Sequence, residues 1–438
     1  MYTQLIPFGA MLILFLVNFT RKRNLLCLSS LMLLYELISL ATSLCFVYVP
    51  RVGDPYVNTE AMVFLAINLV FLFMPLLFLK DGRMKQVALI DSNEACPSVV
   101  SESFDKISSA LIVGLLPVSI FFLTRAISGL GDFFAMGGDR TAFREGIDSS
   151  IVSNPIVAAC WVVGVFFYCA LFSGVLGLFF TPLHKVKNSL LLFCGSLWMF
   201  DGIKSGSRSN IFYSIIFCLG VILTIKEFFP RYRIHIPRIV YIAVASAATV
   251  FAAITISRFG ENSTEEKGVA YNLLAYFASG PYCFSADYEL RASNSTDGLK
   301  GFLTFGLPVR CWDKLTGSEA YDNGALIHEE YYTAGTPMHN AYQELCGTYS
   351  GEFKTIVGNF LIDFSPKVVM LVFLCASLLF SVFFNRLGRI RLSGILVVSI
   401  YVYILLTANI GFVFATFRGN LALVALLLFY SALRHLER

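Results

Sequence analysis

Glu60–Leu79 reads EAMVFLAINLVFLFMPLLFL, an apolar run whose one charge stands at its first position. A helix rises about 1.5 Å per residue and the hydrocarbon core of a bilayer is about 30 Å thick, so the run is the length of one membrane crossing. Lys80, Arg83 and Lys85 follow at once. The same pattern, an apolar run and then a short charged connector, recurs along all 438 residues. The chain is 57% hydrophobic and 14% charged, with a mean hydropathy of +0.71. A soluble domain of this size could not bury so much apolar surface. The runs are too long, and alternate too little, for strands of a membrane β-barrel. The fold class expected is therefore all-α, a polytopic integral membrane protein.

About eleven transmembrane helices are expected, with cores near 3–19, 26–48, 60–79, 109–124, 154–179, 188–201, 210–225, 239–256, 368–384, 393–409 and 412–432. The run 188–201 is short and ends in Asp201, which predicts a broken or tilted element. The first run lacks a preceding basic stretch and a clear small-residue cleavage site, so it reads as a retained span.

Orientation follows from lysine and arginine near the span ends. Arg21, Lys22 and Arg23 follow the first span, Lys80, Arg83 and Lys85 the third, and Lys185 and Lys187 the fifth. Lys226, Arg231, Arg233 and Arg238 follow the seventh, Arg386, Arg389 and Arg391 the ninth, and Arg434 and Arg438 the last. Every second connector is basic. That regularity puts the N-terminus outside and the C-terminus in the cytoplasm. The net charge of +4 is spread among loops and gives no ground for nucleic-acid binding.

Two exterior segments are long, at about 125–153 and 257–366. The expected organisation is residues 1–256 with eight spans, 257–366 as an exterior loop domain, and 367–438 with three spans. The second segment is rich in aromatics and glycine rather than in the residues of disorder, and predicts short packed helices. Within it Tyr271–Leu290 is apolar but interrupted at Gly280-Pro281, which suits an interfacial or re-entrant element better than a span. Most of the eleven cysteines lie in spans, where cysteine acts as a small apolar residue. Cys283, Cys311 and Cys346 fall in the exterior segment, and any disulfide pairing among them is open.

Four features carry chemistry. Lys204-Ser-Gly-Ser-Arg208-Ser-Asn210 places two cations in a connector expected to face outward, against the usual bias. A guanidinium binds phosphate oxygens bidentately, so Arg208 suits a lipid-linked pyrophosphate; the plainer reading is an arginine anchoring a helix end. In Gly137-Gly-Asp139-Arg140-Thr-Ala-Phe-Arg144-Glu145, Arg140 and Arg144 share a face if the segment is helical. They would grip phosphate or sugar hydroxyls, or be neutralised by Asp139 and Glu145. In His339-Asn340-Ala-Tyr342-Gln-Glu344, His339 is a candidate proton acceptor, and equally a polar surface residue. Glu36 lies mid-span, where an unpaired charge costs roughly 2.5–3.5 kcal/mol, so it is neutral, paired or lining a cavity. His328-Glu-Glu-Tyr-Tyr332 has tyrosine where a zinc protease needs histidine and is rejected. There is no phosphate-binding P-loop.

The run Gly206-Ser207-Arg208 before a span resembles the Ser-Arg-Gly signature of the O-antigen polymerase and ligase superfamily, although Ser209 stands where that family often has glycine. His339-Asn340-x-Tyr342-x-Glu344, with Gly347, Gly351 and Gly358 beyond it, resembles the family's His-Asn helix in its large periplasmic loop. The layout of spans is similar over most of the chain. The resemblance implies a GT-C-like glycosyltransferase of the bacterial inner membrane, N-terminus periplasmic, that polymerises oligosaccharide repeat units for lipopolysaccharide or another polysaccharide. Its partners would be undecaprenyl-pyrophosphate-linked oligosaccharides, the lipid bilayer and a chain-length regulator membrane protein. No cofactor and no metal are expected. The catalytic residues implied are His339 and Arg208. Substrate-binding residues would be Arg140, Arg144, Lys204, Arg258, Arg310, Asn340 and Tyr342. Tyr271, Tyr276 and Tyr282 would stack on sugar rings or anchor at the interface. A ligase passing finished glycan to lipid A core shares both motifs. A transporter or flippase, the third reading, would put more ionisable groups in the spans and need less exterior chain.

Overall fold

The computed structural model describes residues 2–46, 57–79, 102–135, 155–181, 184–204, 209–230, 238, 249, 279–293, 301–302, 304–324, 340, 355–387 and 391–437. All regular structure among them is helical. In chain order the helices are α1 (Leu5–Lys22), α2 (Leu28–Phe46), α3 (Thr59–Phe73), α4 (Glu102–Ala135), α5 (Pro155–Gly164), α6 (Phe167–Phe180), α7 (Lys185–Gly195) and α8 (Leu197–Lys204). There follow α9 (Ser209–Phe228), α10 (Gly280–Ser293), α11 (Gly306–Thr316), α12 (Ile356–Asp363), α13 (Pro366–Arg386), α14 (Leu392–Leu406) and α15 (Thr416–Leu436). Among the described residues eight helical stretches are long and apolar enough to cross a membrane, and α14 is a shorter apolar helix. The protein is a polytopic helical membrane protein.

The faces of these helices fit a lipid solvent. In α13 the buried residues Val369, Phe373, Ser377, Ser381 and Phe384 recur every three or four positions, while Leu371, Leu378 and Leu379 are exposed. In α1 the buried stripe is Pro7, Met11, Leu14 and Asn18, with Leu12, Ile13, Leu16 and Val17 exposed. The polar side chains Ser377, Ser381 and Asn18 turn inward among larger apolar ones, as expected where lipid is as apolar as leucine and packing or hydrogen bonds must hold helices together.

The chain divides into two compact units. The first comprises Met1–Asp81, Ala270–Arg389 and Ile404–Leu421. In it α1 packs on α2 and α3, and α13 packs on α3 and on the 3-10 turn Met74–Phe78. Polar side chains pin these contacts: Asn18 donates to Ser30 at 2.9 Å, and the Lys22 ammonium donates to Ser29 at 2.8 Å and to the Leu79 carbonyl at 2.7 Å. The short helices α10 and α12 pack on each other and on α3, and α12 also meets α13. Gly280-Pro281, the interruption in Tyr271–Leu290, is the start of α10, and residues 279–287 are buried.

The second unit comprises Gly82–Val269, Ile390–Tyr403 and Ala422–Arg438. All of α6 is buried there. It packs tightly on α7 through glycine: a Cβ on Gly195 would come within 2.5 Å of Leu171, and one on Gly174 within 2.9 Å of Leu192. An aromatic chain fills the interior, from Phe122 to Trp161 (5.2 Å), Trp161 to Trp198 (5.4 Å) and Trp198 to Phe167 (5.2 Å). The Tyr168 and Tyr403 hydroxyls meet at 2.6 Å.

Several boundaries differ from the sequence expectation. The run 188–201 is indeed broken, into α7 and α8, at Ser196, whose amide and hydroxyl both turn back to the Leu192 carbonyl. Helix α4 continues to Ala135, into the segment assigned to the first exterior loop. Hydropathy marks where a helix meets lipid, whereas backbone hydrogen bonding carries it on through Arg125, Gly129 and Gly131. Between Leu406 and Thr416 the chain is not helical, so the expected spans 393–409 and 412–432 are separated by a longer break. The expected span 239–256, apart from Thr249, and all of 136–154 lie outside the described residues.

Candidate functional site

Residues 407–415 of the first unit join two apolar helices without regular structure, and Thr407, Ala408, Asn409, Ile410 and Phe414 are buried. Non-helical backbone at such a place needs its polar groups satisfied by protein. The partners come from distant segments. The Ile356 amide donates to the Ala408 carbonyl at 2.6 Å, and the Phe412 amide donates to Asn359 Oδ1 at 2.6 Å. Asn420 donates to the Phe414 carbonyl at 2.7 Å and to the Thr304 carbonyl at 2.9 Å, and its Oδ1 accepts from the Leu307 amide at 3.0 Å. Gly280 lies so close that a Cβ there would stand 2.8 Å from the Asn409 carbonyl oxygen.

Asn409 also meets Glu36. Its Nδ2 donates to Glu36 Oε2 at 2.7 Å and to Ser39 Oγ at 2.9 Å. Tyr35 donates to the Leu406 carbonyl at 2.9 Å. Glu36 is fully buried, and both Glu36 Oε1 and Asn409 Oδ1 are buried without a hydrogen-bond partner. A protonated carboxyl and a primary amide can share two hydrogen bonds in a ring, and the Nδ2–Oε2 bond is the one observed. The sequence expectation for Glu36, neutral or paired, is met by a named partner. Asn409 is the residue that sequence reasoning missed; the signal was a lone asparagine in an apolar run, which must find a partner.

The predicted site residues fare as follows. Arg208, His339, Arg140, Arg144, Arg258 and Tyr342 lie outside the described residues, as do Tyr271 and Tyr276. Lys204 closes α8 and Ser209 opens α9. Asn340 is helical and exposed. Arg310 is on α11, exposed, with its guanidinium 5.4 Å from the centre of the Tyr321 ring. Tyr282 is not placed to meet a sugar or an interface: it is buried, with its hydroxyl 2.8 Å from the Ser43 carbonyl and 3.1 Å from Gln4 Oε1. Cys283 and Cys311 are both free thiols, one buried and one exposed; Cys346 lies outside the described residues. Among the described residues no cluster of three or more His, Cys, Asp or Glu is placed to hold a metal ion.

The fold and this buried polar brace define an α-helical multi-span membrane protein whose non-helical connections are tied into the bundle. No protein-family model, no curated protein and no solved structure matches the chain.

Proposed function

We propose that the chain is a GT-C-like glycosyltransferase of the bacterial inner membrane, with about eleven spans, that polymerises undecaprenyl-pyrophosphate-linked oligosaccharide repeat units at the periplasmic face. What supports this reading is the sequence placement of Lys204 and Arg208 in the short connector between two apolar runs. Lys204 is the last residue of α8, Arg208 precedes α9 in the sequence, and Lys226 stands in the last turn of α9. A helix of that length rises about 30 Å, so the two basic ends lie on opposite sides of the membrane. With Lys226 in the cytoplasm by the basic-connector pattern, Lys204 and Arg208 would face outward, where an anionic ligand would offset the cost of placing them.

The reaction needs little else from the protein. A hydroxyl oxygen of the incoming repeat unit attacks the anomeric carbon of the growing glycan. The bond from that carbon to the pyrophosphate oxygen breaks, and undecaprenyl pyrophosphate leaves. His339 takes the hydroxyl proton. Arg208 offsets the charge that grows on the leaving group, which is stabilisation specific to the transition state. Lys204, Arg140, Arg144, Arg258 and Arg310 hold phosphate or sugar hydroxyls, and Asn340 and Tyr342 orient the acceptor. Since the donor carries its own leaving group, no nucleotide is needed outside the cell.

The test is the glycan ladder of cells that depend on this chain. Arg208→Ala and His339→Ala should each remove high-molecular-weight glycan, with the protein still inserted at normal level. Full ladders from both variants would defeat the reading. Long glycan stranded on the carrier lipid would point instead to the ligase.

A further inference from the structure

Helix α11 begins against the first turns of two membrane helices. The Thr304 amide donates to the Asp363 carboxylate, and three residues later Pro366 opens α13. The Leu307 amide donates to Asn420 near the start of α15. Phe305 packs on the Phe360 and Phe364 rings, each at 5.9 Å, and Gly301 takes φ +89°, a backbone conformation that favours glycine, close to Phe364 and Val309. The start of α11 is thus fixed at the level where α13 and α15 begin. Its end is set by Gly317, at φ +73°, whose amide donates to the Asp313 carbonyl at 2.8 Å.

One side of α11 faces protein: Val309 meets Gly301, and Asp313 meets Ser318 and the Tyr321 amide. The other side is apolar and exposed. At 3.6 residues per turn, Pro308, Cys311, Trp312 and Leu315 fall within about 100° of one another. Trp312 is 63% exposed and Leu315 84%. Exposed Lys314 borders this arc, whereas Arg310 lies on the opposite side, over the Tyr321 ring. Beyond Pro366, Val368, Met370 and Leu371 are exposed apolar side chains in the first turns of α13, a helix long and apolar enough to cross a membrane. Tryptophan with a basic neighbour is the composition favoured at the headgroup level, and an amphipathic helix of this kind lies in that layer.

We propose that α11 lies along the membrane surface, with Pro308, Cys311, Trp312 and Leu315 sunk into the boundary between lipid headgroups and acyl chains. The helix anchors the segment after Gly301 to the bilayer, independently of what the protein catalyses.

Trp161 and Trp198 are the other two tryptophans. The full-length W161F/W198F chain, reconstituted in phosphatidylethanolamine–phosphatidylglycerol vesicles, leaves Trp312 as reporter. Lipids brominated high on the acyl chain should quench its emission, deeply brominated lipids less, and aqueous acrylamide weakly. Strong acrylamide quenching without bromolipid quenching would overturn the proposal. Shelter from acrylamide that bromolipids do not report would mean a second copy or another protein covers the face, and would overturn it too. Should the double variant not fold, the otherwise native chain carrying p-benzoylphenylalanine in place of Leu315 serves. Photolysis should link it to lipid; a linked protein dimer, or no adduct, contradicts the proposal.

Discussion

Glu36 is sealed inside the first unit with one carboxyl oxygen bonded to Asn409 and the other facing no donor. If the pair is an acid–amide ring, glutamine can replace glutamate atom for atom, because an amide also donates and accepts side by side. Glu36→Gln should therefore unfold at the wild-type temperature in detergent. Glu36→Ala should lose about 1–3 kcal/mol, the cost of leaving buried polar groups of Asn409 unmet. A glutamine variant as damaged as the alanine variant would mean that the carboxylate charge itself is needed. Glu36 was legible in the sequence as a lone acid in an apolar run. Its partner was not, because 373 positions separate the two and no local pattern links them.

Helix packing depends on glycine where α6 meets α7. A Cβ on Gly177 would stand 2.1 Å from Asn188 Oδ1, and Asn188 holds the Thr181 carbonyl at 2.9 Å. Gly177→Ala should cost about 1–3 kcal/mol through overpacking, measurable as a lower unfolding midpoint, while Gly114→Ala, with open space around it, should be near neutral. The turn after α11 should respond to acid. The Ser318 hydroxyl and then the Tyr321 amide hold the Asp313 carboxyl below the usual range. A lowered native value means the turn is favoured above the ordinary carboxylate value of about 4 and loses that support as pH falls through the lowered one. Hydrogen-exchange protection factors of residues 317–324, corrected for the intrinsic pH dependence of exchange, should fall in acid for the wild type; in Asp313→Asn they should be low already and change little with pH. Long elements were legible because an apolar run of bilayer length leaves little choice. The short buried helices α10 and α12 and the break at 407–415 were not, since their burial comes from side chains elsewhere that meet their backbone.

At the scale of the whole molecule, composition and connector charge identify a multi-span helical protein, and the described helices agree in kind. The functional reading rests on cations and a histidine whose residue types and order were legible in the sequence; Arg208 and His339 lie outside the described residues. Its direct test uses the purified chain in proteoliposomes, supplied only with undecaprenyl-pyrophosphate-linked repeat units. Glycan of two and more repeats should form on the carrier lipid, with one undecaprenyl pyrophosphate released per bond made, and Arg208→Ala should stop both. Intact substrate after prolonged incubation with folded wild-type protein, or elongation undiminished in Arg208→Ala, would contradict the proposed role.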